Sequence, residues 1–511
     1  MSLKSENKRI AKNTLLLYLR MLFKTFVAFY TSRVILEALG VEDFGIYNVV
    51  AGVVALFAFV NSSMAISVQR YLSYDIGKNG EGGQQSTIYS MAIIIHVIIA
   101  LMLIVICEGV GKILFDHYLN IPENRYHAAY ILFHWSILTC SMSFIQVPFI
   151  ALLIAYEKMN VYAYIGIIEV MLRLVIVYVL TWCSFDRLPF YGLLLFLSAL
   201  LVTILYIYYC HIKIKDVRYN KVWKGKIFKD LSSFASWSAL GELAWAGTGQ
   251  GVNILLNIFF SPIVNAARAI AIQVITGLNQ FVMSFQTAIN PQIIKSYASN
   301  DKERMMLLTN KGILYSFYLL LLIGLPVILN IDYILNLWLK TPPTHCSEFC
   351  TMAIIGAMVD CMSNLLATVA KAHGKIRNYQ ISVSVALFLN FPLSYIALKM
   401  GASPIAVYVI YIGVSTSLII LRLYLLHIMV DYDIKLYCKT VLVRIIYVCI
   451  VSVPLSLLVR NQMNEGWRTV LLSSLGTILL VILTIYVLGI TKNERCLINE
   501  KLKFTKGKWQ K

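Results

Sequence analysis

Apolar runs of about 20 residues recur along this chain from one end to the other, and that recurrence constrains the fold most. A bilayer core about 30 Å thick is crossed by roughly 20 residues of α-helix, so the runs point to an all-α polytopic membrane protein. Fourteen candidate spans are readable, at about 14–36, 47–68, 87–107, 131–155, 161–181, 190–210, 232–258, 264–289, 312–333, 350–370, 380–398, 404–426, 441–459 and 469–489. The seventh is the weakest, because SALGELAWAGTGQGVNILLNIF carries four glycines and a glutamate. Composition agrees. Of 511 residues, 59% are hydrophobic and 14% charged, against roughly 25% charged in soluble domains.

The loops are short and leave no room for a soluble domain of about 100 residues. No GxxxxGK[ST] loop occurs, which argues against a built-in ATPase. The N-terminal MSLKSENKRIAKN is basic but leads into a long span without a small-residue cleavage site, which argues against a cleaved signal peptide.

Net charge is +19. In a soluble chain that would raise nucleic-acid binding; here the cations sit in loops, where membrane orientation explains them and no nucleic-acid partner is expected. With the N-terminus in the cytoplasm, most of the 44 lysines and arginines fall on the inner side, as the positive-inside rule requires. Both termini are then cytoplasmic. The richest inner loop, HIKIKDVRYNKVWKGKIFKD at 211–230, follows the sixth span and reads as the joint between two bundles or as a contact for membrane lipids. The expected plan is an N-terminal lobe at 1–210, a basic linker at 211–231, a C-terminal lobe at 232–427, and two added helices with a basic tail at 428–511. A faint repeat supports the joint: QRYLSYDIGKNG and PQIIKSYASNDKE, six spans apart, place Tyr71/Ser73 and Tyr297/Ser299 just beyond the membrane.

The ten cysteines follow no metal-ligand spacing and read mainly as small buried hydrophobes. Cys346 and Cys350 share a short segment, and a bridge between them stays open as an alternative. No metal site and no cofactor are expected.

Charged residues inside spans carry the functional signal, since each costs about 2.5–3.5 kcal/mol at mid-membrane on the permissive insertion scale. If the first helix starts near Lys12, Lys24 lies roughly 18 Å in, close to the bilayer centre. Arg20 and Lys24 are four residues apart and share one helix face. Arg33 falls near the outer surface, where it anchors or lines. Glu169 and Arg173 form an i,i+4 pair on the fifth span, structural or cavity-lining. Glu242 in the seventh span is a candidate partner for a first-helix cation. Arg268 in the eighth span reads equally as an interface anchor or a cavity group. Asp360 and Glu242 are candidate coupling sites for H+ or Na+, with structural pairing as the alternative. Five basic residues, Arg20, Lys24, Arg173, Arg268 and Arg422, stand in spans against three acidic ones, Glu169, Glu242 and Asp360. A polar interior of that balance is positive and favours anionic solutes.

Residues 31–73, TSRVILEALGVEDFGIYNVVAGVVALFAFVNSSMAISVQRYLS, resemble the opening of the bacterial polysaccharide flippases, the O-antigen and capsule transporters related to MATE exporters in the MOP superfamily. Arg33, Leu39, Gly40, Gly45, Tyr47 and Asn48 carry that likeness, and residues 234–299 resemble the start of that family's second lobe. The resemblance implies a MATE-like, V-shaped transporter of two six-helix lobes plus two C-terminal helices, in a bacterial inner membrane. It implies alternating access without bond chemistry, with Arg20, Lys24 and Arg268 meeting the substrate. It further implies a polyprenyl-pyrophosphate-linked oligosaccharide as cargo, a role in O-antigen and lipopolysaccharide biosynthesis, and other polysaccharide-assembly membrane proteins as partners. The alternative is a MATE-like proton- or sodium-coupled exporter of small molecules.

Overall fold

The computed structural model describes residues 15–25, 27, 30–31, 34–35, 38–39, 43, 46–47, 50, 58–80, 83–117, 121–182, 186–214, 216–221, 223–260, 262–339, 342–462, 466–492 and 494–496. These residues are almost wholly helical. Among them, ten helices are long and apolar enough to cross a membrane, and the chain is a multi-pass integral membrane protein. The expected first and second spans run partly through segments outside the described residues, as do Arg33, Gly40, Gly45 and Asn48.

The chain divides into two compact units. Unit 1 holds residues 1–243, 287–302 and 371–381; unit 2 holds 244–286, 303–370 and 382–511. Unit 1 is therefore not simply the first half of the sequence: it draws in two short stretches from the second half.

In unit 1, α1 (residues 15–25) precedes α2 (Ala58–Asn79), α3 (Gln85–His117), α4 (Tyr126–Ala155), α5 (Met159–Thr181) and α6 (Arg187–Lys213). α4 is central, packing on α2, α3 and α6. Its inward face buries Leu132, Phe133, Phe144, Leu152 and Leu153, while Leu101, Val105, Trp182 and Tyr208 of other helices stay exposed, as lipid-facing residues do. Asp186 caps α6 by accepting from the Leu188 amide at 3.2 Å, which satisfies one of the orphan donors at a helix start.

α7 (Gly225–Phe259) and α8 (Pro262–Ala298) are continuous helices at the positions expected for the seventh and eighth spans. The glycines of α7 do not break it. A Cβ on Gly251 would lie 2.7 Å from the Phe391 ring, so in unit 2 this glycine admits close packing of a neighbouring helix. Unit 2 also contains α9 (Lys302–Leu329), α10 (Ile331–Leu339), α11 (Cys346–His373), α12 (Arg377–Phe388), α13 (Asn390–Lys399), α14 (Ala406–Val430) and α15 (Ile434–Tyr437), with the ends of α9, α11 and α12 crossing the unit boundary. The expected eleventh span is thus one span, Arg377–Lys399, in which Leu389 joins α12 to α13 with helical dihedrals (φ −57°, ψ −24°). Cys346 and Cys350 are free buried thiols four apart on α11, so the bridge is corrected: both belong to one helix turn of a packed core.

The last two helices, α16 (Val443–Asn461) and α17 (Trp467–Thr484), pack on each other, and their buried residues include the small and hydroxyl ones Ser452, Ser456, Ser473 and Thr477. Apolar burial gives little drive between helices in lipid, so close approach of small side chains does that work. The pair is fastened to α9. Ser473 donates to Asn330 Oδ1 at 3.0 Å, Tyr318 donates to the Gly489 carbonyl at 3.2 Å, and Lys311 lies 2.7 Å from the Glu494 carboxylate.

Candidate functional site

The charged residues of the spans fall into separate groups, one set in each unit. In unit 1, α1 presents Arg20 half-buried and Lys24 exposed on the same face. The Arg20 guanidinium lies 4.0 Å from the centre of the Tyr162 ring on α5, a cation–π contact that tolerates low polarity. It runs so close to Gly166 that any Cβ there would overlap it. Its Nε is buried with no hydrogen-bond partner, and among the described residues it forms no ion pair. Arg20 is thus a half-buried cation held by aromatic and glycine surfaces, with the Glu169 carboxylate near it but not in ion-pair contact.

Glu169 and Arg173 pair on α5 at 2.9 Å, as their spacing requires, with Arg173 more exposed. Glu242 is half-buried on α7 and pairs with neither Arg20 nor Lys24 among the described residues. Arg33 lies outside the described residues.

In unit 2, Arg268 is 8% exposed. It donates from Nε to Asn253 Oδ1 at 2.6 Å and from Nη2 to the Gly249 carbonyl at 3.0 Å, tying α8 to α7. Its guanidinium stands 5.8 Å from the Tyr408 ring centre. Asp360 on α11 accepts a short hydrogen bond from Tyr411 Oη on α14. About three turns further along α14, Arg422 donates to the Ser363 carbonyl at 3.0 Å and to Ser363 Oγ at 2.9 Å. The cation and the carboxylate therefore bracket one α11–α14 seam.

A further cluster in unit 1 was not foreseen. Arg70, 6% exposed on α2, donates from Nε to the Lys371 carbonyl at 3.0 Å and from Nη2 to the Ala372 carbonyl at 2.9 Å. It thereby caps the C-terminus of α11, where the helix dipole favours a cation. Tyr71 and Tyr74 flank the guanidinium at 4.6 and 4.7 Å. Beside it, Tyr297 hydrogen-bonds His373 Nδ1 at 2.8 Å. The two faintly repeated exits meet here: Tyr74 and Tyr297 rings stand 6.5 Å apart, and a Cβ on Gly77 would lie 2.6 Å from the Lys295 carbonyl. Sequence reasoning had the exit segments but not the arginine, because its acceptors are backbone atoms about 300 positions away.

Among the described residues no three His, Cys, Asp or Glu side chains gather as a metal site.

Residues 247–396 match the MatE protein family. No curated protein matches the sequence. Among solved structures, the chain resembles a multidrug resistance MATE family transporter of the MOP superfamily in its outward-facing conformation, with 11% identity, TM-score 0.71, and 83% and 96% of the two chains covered. It resembles MATE in complex with MaL6, at 12% identity, TM-score 0.66 and the same coverage. It also resembles a MOP superfamily transporter from Pyrococcus furiosus Vc1 (DSM3638) whose binding pocket is described as reversed in polarity, suggesting a different function, at 12% identity, TM-score 0.65 and 83% and 96% coverage.

These findings correct part of what the resemblance implied. The similar structures are described as multidrug MATE transport and as complexes with the compounds MaL6, MaD3S and MaD5. They conflict with a lipid-linked oligosaccharide cargo, with polysaccharide-assembly partners and with an O-antigen or lipopolysaccharide flippase role. The chain has a MATE-like fold, and residues 247–396 within it match the MatE family.

Proposed function

We propose that this chain exports small molecules across the membrane by alternating access, and that its preferred solutes are anionic or amphipathic. The observation that carries the reading is Arg20: a half-buried guanidinium on α1 with no ion pair among the described residues, and Lys24 exposed one turn further along. An unneutralised cation inside a span is costly, and an anionic ligand offsets that cost when it arrives. Tyr162, stacked on Arg20, holds the guanidinium in place without cancelling its charge. A site for organic cations asks instead for an acidic excess.

Coupling to H+ or Na+ is assigned to Asp360. Its carboxylate, bonded to Tyr411 across the α11–α14 seam, has two states with different charge, and binding a proton or sodium ion changes which partner the tyrosine keeps. Each step is binding, release or reorientation, without bond chemistry. The test is transport in proteoliposomes under an imposed proton or sodium gradient, with fluorescent anions and cations compared. Gradient-driven efflux of anions, lost in Arg20→Ala, is expected; efflux confined to organic cations overturns the assignment of charge.

A further inference from the structure

At the end of unit 1 that carries the basic linker lies a cavity of about 440 Å³. One wall comes from α7, through Asp230, Ser233 and Trp237; the other comes from the turn between α11 and α12, through Lys375, Arg377 and Asn378. Arg377 lies over the Trp237 ring at 5.3 Å. A guanidinium stacked in this way keeps its in-plane donors free and oriented, the arrangement that recognises an oxyanion with two parallel bonds. Neither Arg377 nor Lys375 forms an ion pair among the described residues, and both are exposed to the cavity mouth. Behind the aromatic wall, Arg70 adds a third, buried cation 5.6 Å from the Phe234 ring centre. Asp230 is the one carboxylate in the lining.

Depth identifies the occupant. α11 ends at His373 and the next apolar span begins at Arg377, so the pocket sits where hydrocarbon gives way to polar headgroups. Lys224, Lys226 and Lys229 precede Asp230 in the chain within six residues, and cations at that depth raise the local concentration of anionic lipid.

We propose that this pocket binds the phosphate of a membrane phospholipid headgroup, with Arg377 and Lys375 as its ligands and Ser233 and Asn378 as neutral donors. Asp230 then accepts from a hydroxyl or amine on the far side of the phosphate, so a glycerol or ethanolamine headgroup fits and a quaternary choline does not offer the needed donor. The two walls belong to segments that are distant in sequence and joined by the Arg70 cap. A headgroup that contacts both binds only while 371–381 stays attached to α2 and α7, so occupancy stabilises that attachment by linkage. This inference does not depend on what the chain transports.

The experiment uses the full chain in nanodiscs of phosphatidylcholine with increasing phosphatidylglycerol, reading thermal unfolding and hydrogen exchange at 368–381. Phosphatidylglycerol should raise the unfolding temperature and slow exchange in the native chain. The double variant Lys375→Ala/Arg377→Ala should weaken the response roughly fivefold per cation removed, while the control Lys435→Ala/Lys439→Ala, which removes equal exposed charge away from the pocket, should keep most of it. An equal loss in both variants overturns the site and leaves only general surface attraction. Inorganic phosphate is the second arm, in detergent without lipid: protection by millimolar phosphate that the double variant abolishes assigns the pocket to a soluble anion and overturns the lipid.

Discussion

The Lys295 ammonium lies 2.7 Å from the Glu157 carboxylate, which is 138 positions earlier in the chain and almost fully buried. Gln292, one turn before Lys295 on α8, donates to the other carboxylate oxygen at 2.5 Å. Glu157 itself has φ +57° in the tight turn between α4 and α5, so a residue in a restricted backbone region anchors a stretch of α8 to unit 1. Removing one partner of a buried charged pair costs more than the pair is worth, because the other charge remains desolvated. Lys295→Met should therefore destabilise the chain by about 2–4 kcal/mol, and Glu157→Gln by less, since a neutral amide still bonds Gln292. Thermal unfolding of both variants in detergent checks the order.

Arg70 bonds two successive carbonyls of α11 with one planar group, which a lysine cannot reproduce. Arg70→Lys should lose about 1–3 kcal/mol of local stability, seen as faster hydrogen exchange at 368–378 with the rest of unit 1 unchanged. Gly374→Ala should act on the same place, because φ is +91° there and a Cβ would collide with the Arg70 guanidinium. Equal exchange in the native chain and Arg70→Lys would refute the capping role.

Glu494 supplies a pH test. Burial alone would raise its pKa, but the Lys311 ammonium and the Thr491 amide and hydroxyl outweigh it and hold the carboxyl at about 2, below its ordinary 4.5. A depressed pKa contributes stability that is whole above 4.5 and is lost as pH falls toward 2. The unfolding temperature should drop through that window in the native chain. Glu494→Gln should melt about 2 °C lower at pH 7 and show a shallower acid slope.

Lys24→Ala should leave folding unchanged, since the side chain is exposed, and reduce anion efflux roughly tenfold, the effect of losing one charge-assisted contact. Arg20→Ala should cut efflux at least as much and also lower stability, because its stacking on Tyr162 goes too. Unaltered efflux in both would remove the cations of α1 from the transport path.

Asp360→Asn should keep the fold, as an amide still accepts from Tyr411, and abolish the dependence of efflux on the ion gradient while downhill exchange persists. Counterflow against gradient-driven efflux separates the two; a variant that still follows the gradient places coupling elsewhere.

Apolar length made most helices legible, because membrane spans need little beyond about 20 residues without charge. α7 was the weakest reading for a definite reason. Its glycines lower helix propensity in water, whereas here Gly241 faces Gln380 and Gly251 faces Phe391, so both serve packing. The i,i+4 rule placed Glu169 with Arg173 correctly, since one helix decides that contact. It is silent on Arg268, whose partners Asn253 and Gly249 lie on another helix, and on Arg70, whose partners are carbonyls with no residue signature. Cargo was misread for a different reason: it came from the resemblance of residues 31–73 and 234–299, whereas the charge balance of the spans selects only a sign, not a size or a lipid tail.

Gly77 carries a consequence for how α8 is held. With no side chain there, α2 meets α8 backbone to backbone at Lys295. A bulkier residue would wedge the two helices apart and pull on the Glu157–Lys295 pair that holds the same stretch of α8.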